Sequence, residues 1–210
     1  MATVLYITAH PLDPKESYSL AVGEEFIEAY REANPADEVV HLDMYKENIP
    51  PFDADVLRGW GKLRSGSSYD QLSDAEKSKV ARLEEIVDQY VAADKYVYVS
   101  PMWNFSIPPV MKAYTDATSI PGKTFRYTKN GPVGLLSGKK ALHIQASGSV
   151  YSEGPLAPIE MGYSYLNKVL QFYGIQSVEA IWVEGTASSE QAPAIKEKAI
   201  AQAREVAKRF

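Results

Sequence analysis

The sequence predicts an α/β fold: a doubly wound, five-stranded parallel sheet with helices on both faces. Three observations predict it. Five short apolar, β-rich runs alternate along the chain with stretches whose apolar residues recur at helical spacing. The runs are apolar nearly throughout, the pattern of strands buried on both faces rather than on one. The chain has 210 residues, 45% of them hydrophobic and 23% charged, which is ordinary globular usage and enough for one sizeable core. A single domain spanning residues 1–210 is therefore expected.

In chain order, Thr3 to Ala9 reads as the first strand, bounded by His10 and Pro11. From Leu20 the apolar residues Phe26, Ile27, Tyr30 and Ala33 fit a helix that ends at Asn34–Pro35. Val39 to Leu42 begins the second strand. Asp43 to Gln71, rich in Pro, Gly and Ser, stands outside the alternation as a long connection. Ser73 and Glu76 form a capping-box pattern ahead of a helix carrying Val80, Leu83, Ile86, Val87 and Tyr90. Lys95 to Ser100 is the third strand and stops at Pro101. A helix follows from Pro109 with Val110, Met111, Tyr114 and Ala117 inward. Pro121 to Gly138 is a second long segment, in which Asn130–Gly131 signals a hairpin between Thr124–Tyr127 and Val133–Leu136. Lys140 to Ala146 is the fourth strand. Ile159 to Tyr173 is helical up to Gly174, which serves as its C-cap. Ser177 to Val183 is the fifth strand, and Glu190 to Phe210 is a closing amphipathic helix.

Composition excludes several functions. Net charge is −5 with no basic block, so a nucleic-acid partner, which needs clustered Lys and Arg, is not expected. The chain has no cysteine, which removes disulfides, thiolate metal sites and a Cys nucleophile. No apolar stretch approaches a bilayer span and the first residues lack a signal-peptide pattern, so no membrane partner and a cytoplasmic location are expected.

In an open parallel sheet, ligands bind beyond the C-terminal strand ends where strand order reverses. Three loops leave such ends. The first closes on Ser17-Tyr18-Ser19 where a helix begins, and hydroxyls beside the free N–H groups of a helix start suit a phosphate; Ser17 also fits simple N-capping. The second is Pro101-Met102-Trp103-Asn104-Phe105-Ser106-Ile107-Pro108-Pro109. Trp103 and Phe105 are costly to leave in water unless they meet something flat, and Asn104 between them offers a donor and an acceptor to a heterocycle edge; a loop folded onto the core is the alternative. The third holds Ser147, Gly148, Ser149 and Gly154, and Gly148 admits close approach of a flat ligand. Competing motifs fail: Gly59-Trp60-Gly61 has Arg64 where a third glycine is required, Gly122-Lys123-Thr124 follows a helix, and His10, His41 and His143 are isolated. With no acid–base dyad to pair, the chemistry is expected to reside in a cofactor.

Pro101-Met102-Trp103-Asn104-Phe105, Thr124 to Pro132, Gly134-Leu135 and Gly138-Lys139-Lys140 resemble the bacterial FMN-dependent NADH:quinone oxidoreductases known as azoreductases. The resemblance implies a flavodoxin-like fold with strand order 2-1-3-4-5, tightly but non-covalently bound FMN, a homodimer with its active site at the interface, and NADH or NADPH as donor. It implies a ping-pong course in which quinones or azo compounds accept the electrons, an azo bond ending as two aromatic amines. It assigns the phosphate to Ser17, Tyr18 and Ser19. The isoalloxazine falls to Pro101, Met102, Trp103, Asn104 and Phe105, with Ala146, Ser147, Gly148 and Ser149 as a further flavin loop, and the substrate pocket to Tyr127 and Phe172, partly from the neighbouring subunit. Many relatives have Ser where this chain has His10, and Ser-Arg-Gly-Gly where it has Ala146-Ser147-Gly148-Ser149; the latter difference removes a positive charge near the flavin. The other classes the sequence admits are a pure electron carrier, which needs a strongly acidic face that a net charge of −5 does not supply, and a cofactor-free regulator.

Overall fold

The computed structural model describes residues 1–210. Its elements run β1 (Thr3–Thr8), α1 (Tyr18–Ala33), β2 (Glu38–Asp43), α2 (Ala54–Arg64), α3 (Asp74–Ala92), β3 (Lys95–Pro101) and α4 (Pro109–Thr118). There follow β4 (Phe125–Thr128), β5 (Gly131–Gly134), β6 (Lys140–Ser147), α5 (Gly162–Phe172), β7 (Ser177–Glu184) and α6 (Ala192–Arg209). Five strands form one parallel sheet in the order β2-β1-β3-β6-β7, the spatial order expected for strands one to five. The order reverses between β1 and β3, so a crevice opens above that pair.

Side chains alternate across a strand, and the sheet's apolar residues accordingly divide by parity. Val4, Tyr6, Val97, Val99, Leu142 and Ile144 pack with Phe26, Ile27 and Tyr30 of α1 and Ala199, Ala203 and Val206 of α6. Leu5, Ile7, Tyr96, Tyr98 and Ala141 pack with Leu83, Ile86 and Tyr90 of α3, Met111 and Tyr114 of α4, and Leu166 and Leu170 of α5. The capping box at α3 forms in both directions: Ser73 Oγ accepts the Glu76 N–H at 3.3 Å and Glu76 accepts the Ser73 N–H at 2.8 Å. Helix α5 ends at Phe172 with Tyr173 as its C-cap, and Gly174 follows with φ 98°, a left-handed conformation that suits glycine.

Three expectations require correction. The Asp43–Gln71 connection contains helix α2, capped by Asp53, whose side chain accepts the N–H groups of Asp55 and Val56. Gly59 and Gly61 argue against a helix locally, but a Cβ on Gly59 would lie 2.9 Å from Val80 Cγ2, so this glycine lets α2 approach α3 closely. The hairpin strands pair Thr128 with Gly131 rather than flanking an Asn130–Gly131 corner. Lys129 and Asn130 form the loop, and of the three only Gly131 takes positive φ, 105°, as in a type I turn followed by a glycine bulge. Finally, α5 begins at Gly162: Gly154–Ile159 forms a separate 3-10 turn containing Pro158. No helix is long and apolar enough to cross a membrane.

Candidate functional site

A cleft of about 220 Å³ lies at the C-terminal edge of the sheet, over the β1–β3 reversal and β6. The β1–α1 loop supplies His10, Ser17, Tyr18 and Ser19 to its walls; the end of β3 supplies Pro101, Met102 and Trp103; the end of β6 supplies Ala146, Ser147 and Gly148. All three sequence-expected loops therefore converge. Glu16 and Thr186 complete the lining and escaped the sequence reading. Thr186 follows β7, whose C-terminal edge was a legible signal; its hydroxyl donates to the Ser147 carbonyl at 3.0 Å.

The α1 end offers donors without a protein partner. Ser17 has extended backbone and caps the helix, its Oγ accepting the Leu20 N–H at 3.3 Å. The N–H groups of Tyr18 and Ser19 donate to no protein acceptor. Ser17 and Ser19 are 4% and 0% exposed, their hydroxyl oxygens 3.2 Å apart, and no acidic residue occupies the first turn. Hydroxyls, free N–H groups and the positive end of a sixteen-residue helix make a set that suits a phosphate dianion. His10 accepts the Leu12 N–H through Nδ1 at 3.1 Å and packs against Trp103 at 5.9 Å between ring centroids. Burial pushes its imidazole below the usual pKa, against the pull of Glu16.

The other end is a tight reversal. Trp103 and Ser106 exchange N–H···O bonds of 2.9 and 3.1 Å. Between them Asn104 and Phe105 take φ 48° and 71°, the two non-glycine residues of positive φ in the chain. Both positive dihedrals match a type I′ turn, which Asn tolerates and Phe does not do without strain. Such strain persists where surrounding structure enforces it, and it clusters at functional sites. Asn104 and Phe105 occupy the exposed tip of the turn rather than the cleft wall, and Phe105 meets Tyr151 edge-on at 6.3 Å. Across the cleft, a Cβ on Gly148 would meet only Ala187, at 3.4 Å, so backbone lies open there; the N–H groups of Gly148 and Ser149 donate to no protein acceptor. Ser149 contributes its carbonyl to the Ser147 hydroxyl at 2.8 Å and does not line the cleft. Free N–H groups on one wall and an aromatic turn on the other fit the edge and face of a flat heterocycle.

Tyr127 and Phe172 are absent from this lining. They flank Phe125, with ring centroids 5.4 and 4.5 Å from it, on an outer aromatic patch built by the β4–β5 hairpin and the end of α5. Tyr127 is 73% and Phe172 38% exposed. The hairpin is seated on α5 by backbone: a Cβ on Gly134 would fall 2.2 Å from the Gly174 nitrogen, and the Leu136 N–H donates to the Tyr173 carbonyl at 2.8 Å.

A parallel sheet of this order with a ligand cleft at its reversal point defines a class, and a family profile described as the flavodoxin-like fold matches residues 2–207. The chain is 59% identical over 211 residues to FMN-dependent NADH:quinone oxidoreductase 2 of Bacillus subtilis (strain 168), covering 100% of both chains. It is equally similar, with the same coverage, to the FMN-dependent NADH:quinone oxidoreductase of Geobacillus kaustophilus (strain HTA426). The azoreductase from Bacillus anthracis str. Sterne superposes with a TM-score of 0.93 at 36% identity over 100% of each chain. The FMN-dependent NADH-azoreductase of Bacillus anthracis str. Ames Ancestor, solved in complex with FMN, superposes with a TM-score of 0.89 at 33% identity, over 99% of this chain and 100% of that one. The chain belongs to this flavodoxin-like family of FMN-dependent NADH:quinone oxidoreductases.

Proposed function

We propose that the chain is an FMN-dependent NADH:quinone oxidoreductase that also reduces azo compounds. The carrying observation is the convergence, at one sheet edge, of unpartnered helix-start donors and a strained aromatic turn. Residues 1–210 act as one doubly wound domain, its sheet covered by helices on both faces, as the two core clusters support. Ser17, Tyr18 and Ser19 hold the phosphate through hydroxyls and backbone N–H groups. Pro101, Met102, Trp103, Asn104 and Phe105 hold the ring on one side, and Ala146, Ser147, Gly148 and Ser149 on the other. When bound, FMN would supply the redox chemistry, two electrons per NADH or NADPH in ping-pong order: one round would reduce a quinone, and two rounds with protons from water would take an azo bond to two amines.

The protein's own part is to bind, orient and keep water from the reacting face. Tyr127 and Phe172 supply flat apolar walls for the acceptor. Their position on an outer patch, away from the cleft lining of their own chain, supports a homodimer in which they complete the partner's pocket. The exposed Val133, on the same hairpin as Tyr127, adds apolar area to such an interface. Partners are thus small flat acceptors and a second copy of the chain, with neither nucleic acid nor membrane, and the cytoplasm is the setting. The test is direct. Purified protein reconstituted with FMN retains about one flavin per chain, sediments as a dimer, and oxidises NADH when a benzoquinone or an azo dye is supplied. A colourless protein that takes up no FMN, or an active monomer, overturns the corresponding part.

A further inference from the structure

The near end of the strained turn is tied to β6 by the Met102 N–H, which donates to the Ala146 carbonyl at 2.7 Å, and a further hold comes from one dipeptide, Glu160–Met161, just ahead of α5. The Met161 N–H donates to the Phe105 carbonyl at 2.8 Å, fixing the far end of the turn. Glu160 reaches the near end through an intermediary. Its Oε1 accepts Gln145 Nε2–H at 3.0 Å, and that same amide nitrogen lies 3.8 Å from Met102 Sδ.

Glu160 is buried, and all its partners are neutral: Gln145, the Tyr163 N–H at 2.8 Å, and the Ser164 N–H and hydroxyl at 3.0 and 2.8 Å. Burial alone would raise its pKa, but hydrogen bonds from Gln145 and Ser164 and the backbone N–H groups outweigh it and hold the carboxyl below its ordinary value. Capping α5 does not require this. A Ser or Asn satisfies helix-start N–H groups without burying a charge that no cation balances. What the longer acid adds is the reach to Gln145. The chain makes room for that link: a Cβ on Gly162 would sit 2.1 Å from Gln145 Oε1.

We infer that Glu160 is a positioning residue for the flavin ring, bracing the Met102–Phe105 turn through Gln145 while Met161 holds its other end, and placing a buried negative charge one side chain away from Met102. The inference rests on the proposed flavin site. Reduction of a flavin held by Met102 would add negative charge at the cleft, and a carboxylate linked to Met102 through Gln145 would oppose that change.

Two variants separate this role from capping. Gln145→Leu keeps bulk, leaves Glu160 on Tyr163 and Ser164, and cuts the link to Met102. Glu160→Gln keeps shape and removes the charge. Fluorescence titration of Gln145→Leu is expected to show both FMN and riboflavin bound at least tenfold more weakly, a factor that corresponds to about 1.4 kcal/mol. Spectroelectrochemical titration of Glu160→Gln holoprotein is expected to give a more positive midpoint potential than wild type. Unchanged flavin affinity in the first variant, or an unchanged potential in the second, overturns the inference and leaves the proposed function standing. Should Glu160→Gln fail to fold, Gln145→Leu affinity decides alone. A wild type that takes up no flavin overturns the proposed function first and this inference with it.

Discussion

The two ends of the cleft are made in opposite ways. At the α1 end, Ser17, Tyr18 and Ser19 are neighbours in sequence, and one helix start aims every donor. At the other end, the turn after β3 is steadied by Gln145 of β6 and by Met161 before α5, residues that only the completed fold brings together. The difference teaches where each end can fail. A cradle of backbone donors survives as long as its helix starts in the right place. A strained turn survives only while distant segments hold it.

The sharpest way to break this contrast is to remove both cradle hydroxyls. Each hydrogen bond to a phosphate is charge-assisted and contributes roughly 1.5–3 kcal/mol. In the Ser17→Ala/Ser19→Ala double variant, FMN affinity is expected to fall at least tenfold while riboflavin, which lacks the phosphate, binds as before. The lost cap also costs the apoprotein about 1 kcal/mol. Equal losses for the two flavins would mean that the ends are not separate.

Acid acts at the opposite end. His143 of β6 is fully buried, with Nε2 3.0 Å from the Ser100 hydroxyl, just ahead of the turn. Burial lowers its pKa to about 4, against the pull of Glu160. An unfolded histidine titrates near 6.5, so the unfolded chain takes up the proton first as pH falls. The stabilisation is complete above about 6.5 and is lost progressively down to about 4, a decrease of about 3 kcal/mol. Thermal melts of the apoprotein are expected to fall across that window, and the slope is expected to flatten in His143→Gln. Glu160, whose pKa is depressed from 4.5, adds its own loss from about that pH downward, as the unfolded chain's carboxyl is protonated first. A wild-type melting temperature that holds steady from pH 6.5 to 4 refutes the His143 assignment.

The smallest test concerns the turn itself. Asn104 at φ 48° tolerates a conformation that costs a residue with an ordinary Cβ about 1–2 kcal/mol. Asn104→Val is expected to lower apoprotein stability by that amount in urea, and Asn104→Gly to leave it nearly unchanged. Equal destabilisation by both would show that the Asn104 side chain, rather than its dihedral, holds the turn.

What the sequence discloses follows the same division. The five strands, the Ser17 cap and the Ser73–Glu76 box are written in adjacent residues, because strand burial and helix capping are local. Helix α2 was hidden because Gly59 looks like a breaker until Val80 is seen against it. The Glu160–Gln145–Met102 link had no local signature, since its members lie on three separate segments. The place of Trp103 and Phe105 on a loop leaving a strand end was legible, yet the positive dihedrals of Asn104 and Phe105 were not: neither residue is a glycine.

The seat of the hairpin on α5 carries a consequence for divergence. Gly134 against the Tyr173–Gly174 peptide admits no side chain, so a substitution there would displace the frame bearing Tyr127 and Phe172. Under the proposed function, a lineage on this frame changes its diet of acceptors by exchanging one ring for another at those two positions, with no insertion and no remodelled loop. The glycines of the joint have no such freedom. They are the hinge pins on which the tinkering hangs.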